Sequence, residues 1–500
     1  MAAEISGASG SGGIAALLAL IEETFPLPRR FRAGLPADVA ELSRLLTNAR
    51  PEREAGYLGR PGFLSAYLRY FLPWNVFRLH RLFSLDAVPL PALSDGDAVT
   101  DLGSGPLTLP IALWLARPEL RKLRLEFRCV DHAGAALDAG KKLFLALTEK
   151  SAISRTGGEP GPAEGPGWII KTIRGPLDVP VYGGGAKLAG AVNVFNEVYP
   201  HGPPGEGAEK AAALLSSLCA PDGAVFAVEP GNPRGGAFIA GLRSALLDRK
   251  RPPLAPCPHH GRCPLPGGRG PGSAAEYRRP GGNRGGKAKW CHFAFDTQTA
   301  PAALRRLSEE AGIPKERAAV SFLLAGPAAP SADVKRIRGN ALSVDLKRMR
   351  DNASSSAAAA SPGDVKRIRN NAPPVDLKRM RDNAPSPSAA APSVDVKRIR
   401  NNASSVDLKR IRDNAPSPAA AAPPADVKRI RLISDAFPLL QTAPGQWGRY
   451  GCSEQGLVLV AGNRQEMEKA ESGSLLELPF PKDGKRDPKT GALVIRRRET

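Results

Sequence analysis

The chain has 500 residues, which is enough for two or more domains that each bury a core. Its net charge of +21 favours an anionic partner, nucleic acid above all. The six cysteines are too few for a disulfide scaffold and indicate metal binding in a reducing compartment. No signal peptide is visible and no apolar run of about eighteen residues is present, so we expect a cytoplasmic protein without a membrane span.

The first segment is predicted to be helical. Residues 14–93 alternate apolar and charged positions at helical spacing, and the run FLSAYLRYFLPWNVFRLHRLF is rich in aromatic residues. A proline inside a helical pattern removes a hydrogen bond, so this helix is predicted to break at Pro73. Its aromatic stripe is expected to pack in the core, and the alternative is stacking on RNA by Tyr67, Tyr70 or Trp74.

A strand, a glycine turn and a helix follow in DAVTDLGSGPLTLPIALWLA. Gly103 and Gly105 allow a ligand to approach the backbone, and the next predicted strand ends at Asp131, where a carboxylate can accept hydrogen bonds from ribose hydroxyls. This pattern predicts a nucleoside-containing cofactor, either a dinucleotide or S-adenosylmethionine. The dinucleotide fingerprint fits poorly, because Thr108 stands where its third glycine is needed.

Three further strands are predicted in GWIIKTIRGPL, AVNVFNEVYPHG and GAVFAVEPGN. Ligands of open α/β sheets bind beyond the carboxyl ends of the strands. We therefore expect Asn196, Glu197, Tyr199 and Glu229 near the cofactor. Asn196 and Glu197 are the candidates for a catalytic base at this site, should the reaction require one.

Three cysteines occur in PCPHHGRCPL and KWCHF, namely Cys257, Cys263 and Cys291. They can converge if the glycine-rich loop between them folds back, and Cys452, predicted to lie in a turn before the strand LVLVAG, can supply a fourth thiolate. Four cysteines bind either zinc or an iron–sulfur cluster, and spacing alone does not separate the two. The histidines nearby also allow mixed zinc coordination.

A repeated motif, D-(V/L)-K-R-(I/M)-R, begins seven times between Asp333 and Asp426, with spacings that alternate between 12 and 19 residues. Such a period can indicate a solenoid. The segment 332–431 contains no aromatic residue, however, and its repeats are joined by Ser, Pro and Ala tracts. We therefore predict a disordered or weakly helical basic insertion.

The combination of DLGSGP, VDHA, NEVYPHG, PCPHHGRCP, WCHF and a late cysteine resembles the methyltransferase-like, Rsm-type family of small-ribosomal-subunit assembly factors, found in mitochondria and bacteria. The resemblance implies a class I, Rossmann-like methyltransferase fold, S-adenosyl-L-methionine, a [4Fe-4S] cluster and association with small-subunit ribosomal RNA. It also implies a mitochondrial matrix location as the alternative. The implied cofactor-binding residues are Asp101, Gly103, Gly105 and Asp131, and the implied cluster ligands are Cys257, Cys263, Cys291 and Cys452.

The predicted architecture is α/β, with a helical subdomain in front and a cysteine segment and repeats behind. Its parts are 1–95 (helical), 96–255 (cofactor-binding), 256–330 (cysteine segment and sheet continuation), 331–431 (repeats) and 432–500 (fourth cysteine and basic tail). The predicted function is an RNA methyltransferase in ribosome assembly. A non-catalytic RNA-binding assembly factor, or a zinc module in place of the cluster, is the alternative.

Overall fold

The computed structural model describes residues 10–496 except for 48, 50–51, 53–55, 86–87, 156–166, 180, 182–184, 200–202, 262, 266–288, 328–426, 441, 443 and 482–483. The predicted repeat segment, 331–431, therefore lies outside the described residues except for its last five positions, 427–431. The compact unit described below joins the chain before the repeats to the chain after them.

The N-terminal segment is helical, as predicted. Its helices are α1 Gly10–Thr24, α2 Arg29–Arg32, α3 Leu35–Thr47, α4 Pro61–Ala66 and α5 Leu72–Phe83, with a π-helical segment, Tyr67–Phe71, between α4 and α5. The predicted break at Pro73 is wrong, since helical structure continues from 61 to 83. A proline normally clashes with the carbonyl one turn earlier, and the wider π turn directly before Pro73 accommodates it.

The main sheet is built from β-α units, and its strands are β1 Ala98–Leu102, β2 Leu125–Asp131, β3 Trp168–Arg174, β4 Ala186–Val192, β5 Cys219–Pro230, β6 Pro253–Ala255, β7 Phe293–Asp296 and β8 Arg317–Ala325. Their order is β3-β2-β1-β4-β5-β8-β6, with β7 also on β8. The first five strands are parallel and β8 runs antiparallel to β5. The helices of this part are α6 Thr108–Ala116, α7 Gly134–Arg155, α8 Phe195–Val198, α9 Pro204–Leu218, α10 Pro233–Asp248 and α11 Ala302–Glu310.

The sequence explains why β1 lies at the centre of the sheet. All five of its residues are buried, and near-continuous apolar strands are typical of parallel sheets covered on both faces. Trp114 of α6, Phe127 of β2 and Trp168 of β3 form an aromatic cluster on one face, with ring centroids 4.5 Å and 5.1 Å apart. The chain order reverses between β1 and β4, so the crevice for a ligand lies beyond the carboxyl ends of these strands.

The chain after the repeats forms a second sheet. Its strands are β9 Val427–Leu432, β10 Phe437–Leu439, β11 Gln446–Ser453, β12 Gly456–Gly462, β13 Leu475–Pro479 and β14 Leu493–Arg496, and α12 Arg464–Lys469 follows β12. Their order is β13-β9-β11-β12-β14, with β10 on β11. Residues 427–431, which were assigned to the insertion, are thus part of a strand, because they pair with β13 and β11.

No helix in the described part of the chain is long and apolar enough to cross a membrane.

Candidate functional site

The turn after β1 lies at the carboxyl edge of the main sheet and requires glycine. Gly103 and Gly105 have φ angles of +62° and +52°, which non-glycine side chains rarely adopt. A Cβ atom on Gly103 would also lie 2.4 Å from the Cγ2 atom of Val194, beyond the end of β4. The amide of Ser104 donates to the carbonyl of Val130 at 3.0 Å. The turn is therefore held between the ends of β2 and β4.

Asp101 is buried directly beneath this turn, with 1% of its surface exposed. Its Oδ2 atom accepts a 2.6 Å hydrogen bond from the Ser104 hydroxyl, whereas its Oδ1 atom is buried without a partner among the described residues. Burial raises the pKa of Asp101 to about 7, and the nearby Asp131 carboxylate adds to that rise. A buried oxygen of this kind is stabilised by a cationic group, such as the ammonium of an amino-acid ligand.

Asp131 ends β2 on the other side of the turn. Its two carboxylate oxygens accept hydrogen bonds of 2.8 Å from the amides of Gly105 and Ala133. Each carboxylate oxygen can accept a second hydrogen bond, so Asp131 retains the capacity to bind hydroxyl groups. The structure thus brings the four predicted cofactor residues together around one turn.

The two catalytic candidates follow β4 and differ in their surroundings. The Asn196 side-chain amide donates to Glu229 at 2.8 Å, and Glu229 also accepts from the amides of Phe195 and Asn196 at 2.9 Å and 3.1 Å. Burial raises the pKa of Glu229 to about 7. The side chain of Asn196 therefore positions the buried carboxyl group of Glu229. The charge of Glu197 instead acts on Tyr67 and adds to the effect of burial in raising the pKa of its hydroxyl.

Tyr67 was predicted as part of the core, yet its hydroxyl reaches the site. It lies 3.9 Å from the position that a Cβ atom on Gly105 would occupy, and it is hydrogen-bonded to the Asn75 side chain. Burial raises the pKa of Tyr67 far above its ordinary value, and the carboxylates of Glu197 and Asp131 raise it further, so the hydroxyl keeps its proton. π-helical turns are frequent at functional sites, and the proline after this aromatic run is the sequence signal that would have indicated one.

The four predicted metal ligands come from both sheets, and the charges of Cys257 and Cys263 act on the thiols of Cys291 and Cys452. Cys257 and Cys263 follow β6, Cys291 precedes β7, and Cys452 lies within β11 rather than in the predicted turn, because β11 pairs along its length with β12. Burial raises the pKa of each thiol, that of Cys263 to about 11, and negative charge on the other cysteines raises the pKa of Cys291 and Cys452 further.

Two arginines support this cysteine centre. The Nε atom of Arg243 in α10 donates to the Sγ atom of Cys257 at 3.1 Å, and its Nη2 atom donates to the carbonyl of His259 at 2.9 Å. From β9, the Nε atom of Arg431 donates to the carbonyl of Pro256 at 2.8 Å. Both cations act against burial and lower the pKa of the Cys257 thiol, so they favour anionic sulfur there.

No group of three or more His, Cys, Asp or Glu side chains in the described part of the chain is arranged to hold a single metal ion. His259 lies beside one of the cysteines, with its Nε2 atom 3.6 Å from the Sγ atom of Cys452. Burial lowers the pKa of His259 to about 4, with the Arg243 charge adding to the effect, so its ring is neutral.

A family model described as "Mitochondrial small ribosomal subunit Rsm22" matches residues 206–341. The predicted resemblance to this family is confirmed. The Rsm22 match includes Cys257, Cys263 and Cys291. It begins after the glycine turn and ends before Cys452.

Three of the solved structures similar to this chain are described as methyltransferases. One from Thiobacillus denitrificans and one from Geobacter sulfurreducens, both with S-adenosyl-L-homocysteine, are 22% and 19% identical, with a TM-score of 0.20 each. The matches cover 31% and 34% of this chain and 48% and 54% of theirs, so this chain spans about half the length of those proteins. A protein from Listeria monocytogenes, described as a "putative class i s-adenosylmethionine-dependent methyltransferase", is 10% identical over 66% of this chain and 89% of its own, with a TM-score of 0.28. The comparison with curated proteins finds no match.

Proposed function

We propose that this protein binds S-adenosyl-L-methionine and methylates small-subunit ribosomal RNA during ribosome assembly. The observation that carries the proposal is the buried Oδ1 atom of Asp101, which has no hydrogen-bond partner among the described residues and lies beneath the turn that contains Gly103 and Gly105. A carboxylate in that position fits the ammonium group of the methionine moiety. The excess of basic residues and the Rsm22 match support ribosomal RNA as the partner.

Each residue around the turn has a distinct role in this proposal. Asp101 binds the ammonium group, Asp131 accepts the ribose hydroxyls, and Gly103 and Gly105 let the cofactor approach the backbone. The bound cofactor supplies an electrophilic methyl group. Catalysis then depends mainly on positioning the acceptor atom, and Glu197 is the more suitable base of the two candidates, because a carboxylate can accept a proton whereas the amide of Asn196 cannot.

For the cysteine centre we propose a [4Fe-4S] cluster held by Cys257, Cys263, Cys291 and Cys452. Four buried or partly buried thiols with two arginines around them suit a cluster with net negative charge, since ligation deprotonates the thiols. A zinc ion would need the four sulfurs around one point, whereas each ligand of a cluster binds a different iron. Zinc is the alternative.

The proposed role of the cluster is to hold the two sheets together. Three ligands belong to the main-sheet side and Cys452 belongs to the second sheet, so the cluster would link chain segments on either side of the repeats. The hydrogen bond from Arg431 to Pro256 spans the same junction. Metal binding would therefore contribute directly to the stability of the folded chain.

A non-catalytic RNA-binding factor is the second candidate. It is favoured by the sequence after β4, NVFNEVYP, which lacks an NPPY-type acceptor motif. The two candidates differ in the effect of Gly103→Arg, which would fill the cofactor site. Gly59→Arg is the matched control, because a Cβ atom on the exposed Gly59 contacts nothing within 4 Å.

The test combines methyl transfer with complementation. Wild-type protein is incubated with small-subunit ribosomal RNA and radiolabelled S-adenosylmethionine, and cells carrying each variant are assayed for small-subunit maturation. An enzyme transfers label, and both its activity and maturation are lost in Gly103→Arg but not in Gly59→Arg. If the wild type transfers no label and Gly103→Arg still supports maturation, the enzyme assignment is wrong and the binding factor replaces it.

The location follows the partner. The description of the matched family names the mitochondrial small ribosomal subunit. This description favours the mitochondrial matrix as the location, instead of the cytoplasm expected from the residues alone. Fractionation of cells that express the tagged full chain distinguishes the two compartments.

A further inference from the structure

Two cations lie at the same edge of the main sheet as the glycine turn. Arg78 belongs to α5, the helix that continues from Tyr67, and Lys315 belongs to the loop between α11 and β8. Since β8 runs antiparallel to β5 and pairs Val320 with Pro230, the loop before β8 lies at the carboxyl end of β5. Lys315 is therefore on the side where ligands of such sheets bind.

The two cations are connected to the site by named contacts. The Nη1 atom of Arg78 donates to the Asn75 side chain at 2.8 Å, and Asn75 in turn bonds the Tyr67 hydroxyl. The Nζ atom of Lys315 lies 5.4 Å from the ring centroid of Tyr70, one turn of helix beyond Tyr67. Hydrogen bonds thus connect Arg78 through Asn75 to Tyr67, whose hydroxyl lies near the glycine turn, and Lys315 lies beside the ring of Tyr70 on the same helix.

Neither cation is neutralised within the described part of the chain. The Nε atom of Arg78 is buried without a hydrogen-bond partner there. Burial lowers the pKa of Arg78 to about 10 and that of Lys315 to about 8, the Arg78 charge lowers the latter further, and no carboxylate acts on either group. By contrast, Arg69 on the same helix pairs with Glu22 at 2.7 Å. Two adjacent, half-buried cations without an anion are unfavourable until an anion binds.

We propose that Arg78 and Lys315 bind a phosphate of the RNA strand next to the nucleotide presented to the cofactor. This inference rests on the proposed function and adds the contact that positions its substrate. A phosphodiester suits the pair, because a guanidinium fixed on one edge by Asn75 can present its remaining N–H groups to oxygen, and the lysine adds a point charge. The Tyr70 side chain beside the lysine stays neutral, because burial raises its pKa to about 12, so it does not compete with phosphate for the two cations.

The cofactor itself carries a carboxylate, which is a second possible source of the anion. Tyr67 separates the glycine turn from the two cations, and Asp101 already provides the group that recognises the amino-acid end. We therefore assign the anion to RNA. Binding of S-adenosylhomocysteine, which contains the carboxylate but no phosphate, distinguishes the two sources.

The test uses full-length protein with the substitutions Lys315→Gln, Arg78→Gln and Arg78→Lys. Lys122→Gln is the matched control, because it removes the same charge from an exposed position before β2, at the opposite edge of the sheet. Small-subunit ribosomal RNA and S-adenosylhomocysteine are the two ligands, and each RNA affinity is measured over a range of salt concentrations. Because Arg78→Gln alters a buried group, Lys315→Gln serves as the variant whose fold is least affected.

Loss of one phosphate contact lowers the slope of log affinity against log salt concentration by about 0.7 for single-stranded RNA. We expect this change for Lys315→Gln and Arg78→Gln, partial recovery for Arg78→Lys, and no change for Lys122→Gln, with S-adenosylhomocysteine affinity unaltered throughout. Equal RNA binding by wild type and Lys315→Gln would overturn the phosphate site alone. Reduced S-adenosylhomocysteine binding with intact RNA binding would reassign the cations to the cofactor. If the wild type binds no RNA, the proposed function fails as well.

Discussion

Replacing Asp101 by asparagine should make the protein more stable at high pH while it abolishes cofactor binding. In the fold the Asp101 carboxyl group is buried, one of its oxygens has no partner among the described residues, and its pKa is raised from 3.8 to about 7. The unfolded chain releases this proton near pH 4, whereas the folded chain keeps it until pH 7. Stability from this group is therefore present below the unfolded pKa and is lost as the pH rises through the folded pKa.

The magnitude follows from the pH window. Each pKa unit corresponds to about 1.4 kcal/mol, so between pH 5 and pH 8 the ionisation of Asp101 lowers the free energy of unfolding by about 3 kcal/mol. Asp101→Asn lacks this loss, because an amide does not ionise. Groups such as Glu229 titrate equally in both proteins, so their contributions cancel in the difference. The stability gained by the variant should thus grow by about 3 kcal/mol between these two pH values.

The assay is urea unfolding at pH 5 and pH 8, followed by the fluorescence of Trp114 and Trp168, which pack beside β1 and β2. Asp138→Asn is the control, since Asp138 is exposed on α7 and should change neither stability nor binding. Calorimetry with S-adenosylhomocysteine should show no binding to Asp101→Asn. An unchanged difference in stability between the two pH values would refute the raised pKa, and retained binding would refute the role of Asp101.

Three further substitutions test other parts of the site. Cys452→Ser should release iron as completely as Cys257→Ser does. The measurement is metal analysis and visible absorbance of protein purified without oxygen. Full metal content in Cys452→Ser would show that the fourth ligand is misassigned. Gly103→Ala should weaken S-adenosylhomocysteine binding at least tenfold, because its Cβ atom would meet Val194 at 2.4 Å, whereas Gly96→Ala, with φ of +85° and no contact within 4 Å, should affect stability alone. Tyr67→Phe should fold normally and reduce methyl transfer at unchanged cofactor affinity, and equal transfer by both proteins would remove its hydroxyl from the site.

The cofactor turn was predictable because its signals are local. The strand that ends near Asp101, the two glycines and the second strand that ends at Asp131 all occur within 34 residues, and each has the residue types that its conformation requires. The convergence of the cysteines could also be proposed, because few other thiols were available. The positions of the four cysteines relative to one another depend on how the two sheets pack, and no local sequence pattern encodes that packing.

The remaining differences come from non-local contacts. Cys452 follows a glycine and looked like a turn residue, but pairing with β12 and β9 draws it into a strand. Tyr67 looked like one aromatic among several, and only the π turn before Pro73 directs its hydroxyl to the glycine turn. The place of Lys315 depends on β8 running antiparallel to β5, a direction that the sequence does not specify.

The central claim is that this chain acts on small-subunit ribosomal RNA, and crosslinking in cells followed by sequencing of the attached RNA tests it most directly. The full chain and a variant without residues 331–426 are compared, so that binding by the compact unit is separated from binding by the basic repeats. We predict that small-subunit ribosomal RNA is the principal RNA recovered with both proteins. Its absence from both samples would contradict the ribosomal assignment.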